Sequence, residues 1–501
     1  MLSMFYMFLL ALWPTVNYLN NNFSKFNNFK DIYIIALISL ITSYVIGKII
    51  QKYSKEGIER FLLAFFVSIV LFFNYGYFVD SLGILANSIL KASYIWLFLS
   101  GLLVYGAWKL SKPVEVQQAS KFLIIIVMIV PLLQIGYSHF IDSAQKIIYN
   151  IDNDLTFTFM NKPNVYYILT DAYARQDTLK EVANFDNEPF LRELEEKGFL
   201  VSRRAISNYH FTGASLSATM NMNYHQYEKD GSLKYNQMHE ALRGNNQVRR
   251  IFQNNNYKII NIPAHYHQMS CNGYENKCIR ERSYEVYESY FSQTPIRFLK
   301  IPIIYVDFKN IKDASNFFPG EPKFIFAHLA QIHDAIYDNS GNLQSQLHPA
   351  FSNALEAQRY ISSIKIMNNK LLDLVKYLRK HDPNAIIILQ ADHGPTFTGN
   401  LKPKNSEYWL KHTQDIRLQN KNDFRYTFGI FSAIYIPPSK LSDKVIKSYL
   451  KASPTLINIF RYLFAYLSNE VPQPLEDVAH FLYFDDNAGV YKEDNISDYI
   501  N

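Results

Sequence analysis

The chain has 501 residues, 49% of them hydrophobic, and a formal net charge of +6. That length leaves room for more than one domain. The charge is mild for the size and much of it flanks apolar stretches, which argues against a nucleic-acid partner.

Five apolar runs fill the first 140 residues, at about 2–19, 32–50, 61–79, 92–108 and 122–138. Each approaches the roughly 20 residues a helix needs to cross a bilayer, although the last two are short. The first lacks the basic start and small-residue cleavage site of a signal peptide, so it reads as a retained helix. Orientation follows from the basic residues of the short loops. The second and fourth loops carry Lys48, Lys52, Lys55, Arg60, Lys109, Lys112 and Lys121; the first and third carry Lys25, Lys30 and Lys91. The richer loops are expected in the cytoplasm together with the amino terminus, and everything after the fifth run outside. Trp96 and Trp108 fall near the two interfaces. The runs are poor in ionisable residues, which favours an anchor or a platform for a lipid substrate over a transport pathway. Residues 141–162 form a polar connector, in which Asp142 to Tyr149 reads equally as a linker or as an amphipathic surface helix.

Residues 163–501 alternate strand and helix patterns, as an α/β fold with a largely parallel sheet does. Val165 to Thr170 is an apolar, β-rich run that stops at Asp171. Asn187 is placed to cap a helix over Glu188 to Lys197, with Gly198 just beyond it. A short strand at Phe199–Val201, a helix over Asn245–Asn254 and strands at Lys258–Ile262 and Phe324–Leu329 follow. From 265 to 322 no pattern is clear, and an insertion over the site is expected. Within it, Cys271 and Cys278 favour a short-loop disulfide over free thiols or a zinc site shared with His265 and His267. Ala354 to Leu378 carries apolar residues at 357, 361, 364, 367, 371, 374 and 378, a helical stripe. It leads into Ile386-Ile387-Ile388-Leu389, an apolar run suited to a strand buried on both faces, which ends in Gln390-Ala391-Asp392-His393-Gly394. Phe428–Ile436 is strand-like, and Pro454–Leu467 reads as a helix.

Two strands therefore end in an acid. In a parallel sheet, ligands gather outside the carboxyl ends of the strands. Asp171, Asp392 and His393 would offer oxygen and nitrogen ligands to one or two divalent ions, zinc or manganese. Ser207 to Thr219 is rich in hydroxyls and small residues. A helix starting near Thr212 would set that hydroxyl among free N–H groups that favour an anion. A metal-activated Thr212 would be a nucleophile toward phosphorus. On spacing alone, a plain helix cap is the simpler reading.

The segments Asn164 to Tyr173, Asn208-Tyr209-x-x-Thr212-x-x-Ser215-Leu216, Phe324-x-Phe326-Ala327-His328 with His333, and Asp392-His393-Gly394 stand in an order that resembles the sulfatase-like branch of the alkaline phosphatase superfamily. A five-helix anchor before an outward-facing domain resembles that branch's membrane-anchored phosphoethanolamine transferases and lipoteichoic acid synthases. The resemblance implies that Asp171, Thr212, Asp392 and His393 bind the metal and that Thr212 is the nucleophile. It implies that His333 lies near substrate or a second metal, with His328 a weaker candidate, and that Asn208 and His210 touch the phosphate. It implies a membrane-lipid donor, a cell-envelope glycan or lipid acceptor, and an extracytoplasmic catalytic domain on a bacterial cytoplasmic membrane. Arg425 is expected at the surface, or less simply as an anion contact. True sulfatases need Cys-x-Pro-x-Arg or Ser-x-Pro-x-Arg at the nucleophile, and Thr212-Gly213-Ala214-Ser215 lacks it, which points to phosphate rather than sulfate esters. A phosphodiesterase or sulfatase-type hydrolase of extracellular glycans is the alternative chemistry. An inactive membrane-anchored scaffold is the alternative of another class.

Overall fold

The computed structural model describes residues 2–22, 30–54, 56–86, 89–146, 155–228, 233–264, 269, 273–279, 287, 290–298, 308–337, 343–346, 350–351, 354–397, 421–438, 455–485 and 490–500. The chain forms two compact units, one of Met1–Asn150 with Arg282–Ile304, the other of Ile151–Glu281 with Tyr305–Asn501.

The first unit contains helices α1 (Leu2–Asn22), α2 (Lys30–Tyr53), α3 (Leu62–Phe73), α4 (Tyr75–Ala86), α5 (Ile89–Leu110) and α6 (Val114–Lys146). Among the described residues, three stretches are long and apolar enough to cross a membrane: Asp31–Tyr53, Ala92–Leu110 and Val114–Tyr137. The expected third span is broken at Asn74, where the helices on either side bend by 56°; counted as one span, the pair makes a fourth. Asn74 caps α3, its N–H and its side-chain amide both reaching Val70 O. Exposed Leu, Ile and Phe side chains crowd α2, α5 and α6, as expected of helices whose solvent is lipid. The last helix runs to Lys146, so it takes in the start of the expected connector; residues 147–154 lie outside the described residues.

In the second unit, a seven-stranded sheet comprises β1 (Val165–Thr170), β2 (Leu200–Val201), β3 (Lys258–Ile262), β4 (Lys277–Cys278), β5 (Lys323–Leu329), β6 (Ile386–Gln390) and β7 (Ser432–Tyr435), in the order β2-β7-β6-β1-β5-β3-β4. The five strands from β6 to β4 are parallel, and β7 joins β6 antiparallel. Both faces are covered, which is why β1, β5 and β6 are buried throughout and mostly apolar rather than alternating. On one face Tyr166 and Ile168 pack with Ile364, Met367, Leu371 and Leu374 of the long helix Ala354–His381, whose stripe falls where the periodicity put it. On the other, Val165, Tyr167 and Leu169 pack with Leu216 and Met220 of a short helix at Thr212–Asn221 and with Phe460 and Phe464 of Ile459–Ser468. Each large side chain so buried contributes roughly 1.5–3 kcal/mol.

Several local expectations shift. Asn187 precedes the helix Glu188–Glu196 without capping it, because its amide goes to Tyr173 Oη at 3.0 Å and accepts from Asn368 at 2.7 Å. The strand expected at 428–436 shortens to β7, Ser432–Tyr435, since Phe428 closes a helix, Lys421–Phe428. Cys278 is disulfide-bonded, and Cys271 is the other cysteine of the sequence; Cys271, His265 and His267 lie outside the described residues. Of the expected insertion, the part at 282–304 belongs to the first unit.

Candidate metal centre

Leu169 in β1 lies opposite Gln390 in β6 and His328 in β5, so these strands end together at one edge of the sheet. Asp171 follows β1 directly and Asp392 follows β6 by two residues, and the edge brings them together. The helix Thr212–Asn221 is buried from Thr212 to Met220, and its Gly, Ala and Ser side chains let it lie close to that edge. Ser215 Oγ donates to the carbonyl of Asp392 at 2.6 Å, a clamp between the helix and the acid.

The resulting cluster is tight. Thr212 Oγ1 lies 3.2 Å from His393 Nε2 and 3.5 Å from Asp171 Oδ2. His393 Nε2 lies 3.4 Å from Asp171 Oδ1 and 3.6 Å from Asp392 Oδ2. His328 Nε2 lies 2.9 Å from Asp171 Oδ2. His333 faces His393 edge-on, ring centres 6.0 Å apart. Asp171, His333 and His393 each offer a ligand atom within 4.8 Å of one another, and so do Asp171, His328 and Asp392. His393 Nδ1 donates to the carbonyl of Gly394 at 2.7 Å. Only an N–H makes that bond, so Nε2 is the ring atom left on the side of the acids, the one a metal would take.

The backbone is bent to serve this geometry. A Cβ at Gly394 would lie 2.9 Å from the carbonyl oxygen of Gly429 and 3.0 Å from that of Thr427, which only glycine avoids. Ala172 takes φ 58°, a left-handed conformation, so that its N–H reaches Asp392 Oδ1 at 3.3 Å while its carbonyl accepts from Tyr360 Oη at 2.8 Å. A side chain in that region costs about 1 kcal/mol. Ala172→Gly is therefore expected to raise the thermal midpoint by roughly 1–3 °C and leave activity unchanged, as scanning fluorimetry on the full chain would read.

Burial pushes the Asp392 carboxyl up, and the charge of Asp171 pushes it further. Burial also opposes ionisation of Asp171, but His333, His328 and His393 around it hold it well below the usual carboxylate range. Asp171 Oδ1 and Asp392 Oδ2 are both buried without a hydrogen-bond donor among the described residues. Two carboxylates about as far apart as these repel by roughly 3–4 kcal/mol at an effective dielectric constant near 20. A cation turns that repulsion into attraction. Two orphaned acid oxygens, an imidazole lone pair and an alcohol together fit a divalent ion.

The other expected site residues divide. His328 is a member of the cluster, although a fully buried strand histidine read as weak from sequence. His333 stands beside it. Thr212 is not a cap: Phe211 holds the cap position, and no side chain bonds a helix N–H there. His210 stacks on Phe481 at 4.2 Å, and burial with the charge of His393 drives its pKa down to about 3, so it is a neutral ring. Asn208, expected to touch the phosphate, is bonded inside the protein. Its amide donates to Tyr224 Oη and Val478 O and accepts from the N–H of Ile457, which consumes its polar atoms inside the protein. Arg425 pairs with Glu181. Ser215 and Tyr360 are the supports that sequence reasoning left without a role. Ser215 stood inside a quoted motif, whereas nothing local marks Tyr360.

Residues 163–418 match the Sulfatase family model, and the chain belongs to that family. Among curated proteins none matches. Among solved structures, the C-terminal periplasmic domain of EcEptC from Escherichia coli is 13% identical, covering 68% of this chain and 96% of that one, with a TM-score of 0.41. The integral membrane lipooligosaccharide phosphoethanolamine transferase A from Neisseria meningitidis is 9% identical, covering 92% and 95%, with a TM-score of 0.39. The lipoteichoic acid synthase LtaP from Listeria monocytogenes is 11% identical, covering 56% and 66%, with a TM-score of 0.35.

Proposed function

We propose that this protein is a membrane-anchored, metal-dependent enzyme that moves a phosphoryl-linked group, of phosphoethanolamine or phosphoglycerol type, from a lipid donor to a cell-envelope acceptor through Thr212. The observation that carries the reading is the convergence of Thr212, Asp171, Asp392 and His393, with two buried acid oxygens that receive no hydrogen bond among the described residues. Asp171, Asp392, His393 and Thr212 would hold the ion, and a second would fall to His328 and His333. A zinc or manganese ion supplies charge neutralisation and lowers the pKa of an alcohol. Thr212 Oγ1 donates toward Asp171 Oδ2, which can accept its proton as the bond to phosphorus forms and the bond to the leaving oxygen breaks. The free N–H groups of the first turn beginning at Thr212 favour the phosphate oxygens. The phosphothreonine then yields the group to an acceptor hydroxyl, or to water in a hydrolase. The absence of the sulfatase nucleophile pattern favours phosphate over sulfate.

The side of the membrane follows from the basic loops. Lys121 pairs with Glu59 at 2.7 Å, and the Arg60 guanidinium lies 4.5 Å over the Trp108 ring, so the second and fourth loops meet at one end of the helices. This supports a cytoplasmic face there and an extracytoplasmic catalytic unit. With purified full-length protein, headgroup-labelled phosphatidylethanolamine or phosphatidylglycerol should lose its label when zinc or manganese is supplied. Cleavage of a sulfate ester with neither lipid consumed would overturn the reading.

A further inference from the structure

Residues 282–304 interrupt the second unit and lie in the first, so the chain passes between the units after Asn150, after Glu281 and after Ile304. One passage suffices to attach an anchor; the other two serve only to deliver this segment. It is built into the anchor. Tyr290 is 5% exposed, and its hydroxyl lies 3.0 Å from Thr15 Oγ1 in α1. Its ring meets Tyr18 at 5.2 Å and Phe73 at 5.3 Å edge-on and packs with Ile32 and Ile35 of α2. Arg297 grips Asp80 of α4 through two bonds of 2.9 and 2.6 Å. The Gly76 N–H donates to Gln293 O at 2.8 Å. A Cβ on Gly76 would lie 2.8 Å from Arg297 Nη1 and 3.0 Å from Gln293 Cα, so a large side chain there would push on both while the segment is seated. These contacts fall at the end of α1, the start of α2, the end of α3 and on α4. They are at the opposite helix ends from the Lys121–Glu59 pair.

We propose that residues 287–298 are a strap that ties the catalytic unit to the membrane unit, and that attack on a bilayer-embedded donor needs the strap while the chemistry itself does not. This rests on the function proposed above. A soluble ester reaches the site by diffusion however the unit is held. A lipid phosphorus is confined to one layer, so the rate depends on the effective concentration that the tether imposes. Arg297 and Asp80 set the strap's register, and Tyr290 is its buried anchor.

The test uses the full chain in lipid nanodiscs with zinc, and three readouts. These are amide hydrogen exchange over 287–298, hydrolysis of soluble bis(4-nitrophenyl) phosphate, and turnover of headgroup-labelled phospholipid. The variants are Gly76→Leu and the combination of Tyr290→Phe with Arg297→Ala. Both should exchange about tenfold faster across the strap, hydrolyse the soluble diester within twofold of wild type and turn over lipid about tenfold more slowly. Combining Asp80→Arg with Arg297→Asp should recover lipid turnover relative to Arg297→Ala alone. Unchanged exchange in both variants would overturn the seating of the strap. Faster exchange with equal losses on the two substrates, or with no loss, would overturn its role in lipid access. If wild type turns over neither ester, the proposed function fails and the strap's catalytic role with it, while exchange still decides whether the segment is seated.

Discussion

Thr212→Ala should lower turnover by roughly 10⁴-fold or more while the protein keeps its fold and most of its metal. The size of the loss follows from where the hydroxyl points. Thr212 Oγ1 is spent on His393 and Asp171 and on no helix N–H, so its removal deletes the hydroxyl of the proposed nucleophile and not a cap. Phe211 holds the cap position, and the hydroxyl of Ser215 fastens the helix to Asp392 independently of Thr212. Stability should therefore fall by about 1 kcal/mol or less. Thr212→Ser keeps the oxygen and should retain measurable turnover. Diester hydrolysis together with metal content by mass spectrometry checks both variants. Wild-type-like turnover in the alanine variant would remove Thr212 from the chemistry.

Asp392→Asn should separate stability from function. In the metal-free protein, Asp392 is buried beside a second acid that the surrounding histidines keep ionised, and both burial and that neighbour oppose its charge. An amide removes the repulsion, keeps an oxygen for the Ala172 N–H and can donate toward Asp171. The metal-free variant is expected to be more stable than wild type by about 1–3 kcal/mol. It should lose zinc or manganese affinity by roughly 100-fold or more and turnover with it. Thermal melts with and without metal test this directly: metal should raise the wild-type midpoint and leave the variant's almost unmoved. A variant that is less stable without metal and still stabilised by it would mean that the acids are structural partners of another kind.

The parts of this site legible in the sequence were those at ends of apolar runs. Asp171 and Asp392 announce themselves because a strand buried on both faces has no place for a carboxylate until it reaches its edge. Thr212 was legible as a helix start, and its two roles separate only when Asp171 and His393, 41 and 181 residues away, come within reach of its hydroxyl. A histidine inside a buried strand, as His328 is, is indistinguishable locally from a core residue, and its contact with Asp171 shows only in three dimensions. Asn208 shows the same limit. Nothing near it shows that Val478 and Ile457, from the far end of the chain, take up its amide. Hydropathy finds apolar length and is blind to a bend, so the break at Asn74 passed unseen. The strap at 287–298 was illegible for the same reason as Asn208. Its meaning lies in Thr15, Phe73 and Asp80, and a segment carries no periodicity that records a distant partner.

Crystals of the full chain grown with zinc and measured at its absorption edge would locate the ion without any assumption about ligands. The account predicts an anomalous peak bonded at about 2.0–2.2 Å to oxygens of Asp171 and Asp392 and to Nε2 of His393, with Thr212 Oγ1 in reach. No peak there at saturating zinc, or a peak held by other residues while those two acid oxygens stay unpaired, would contradict it.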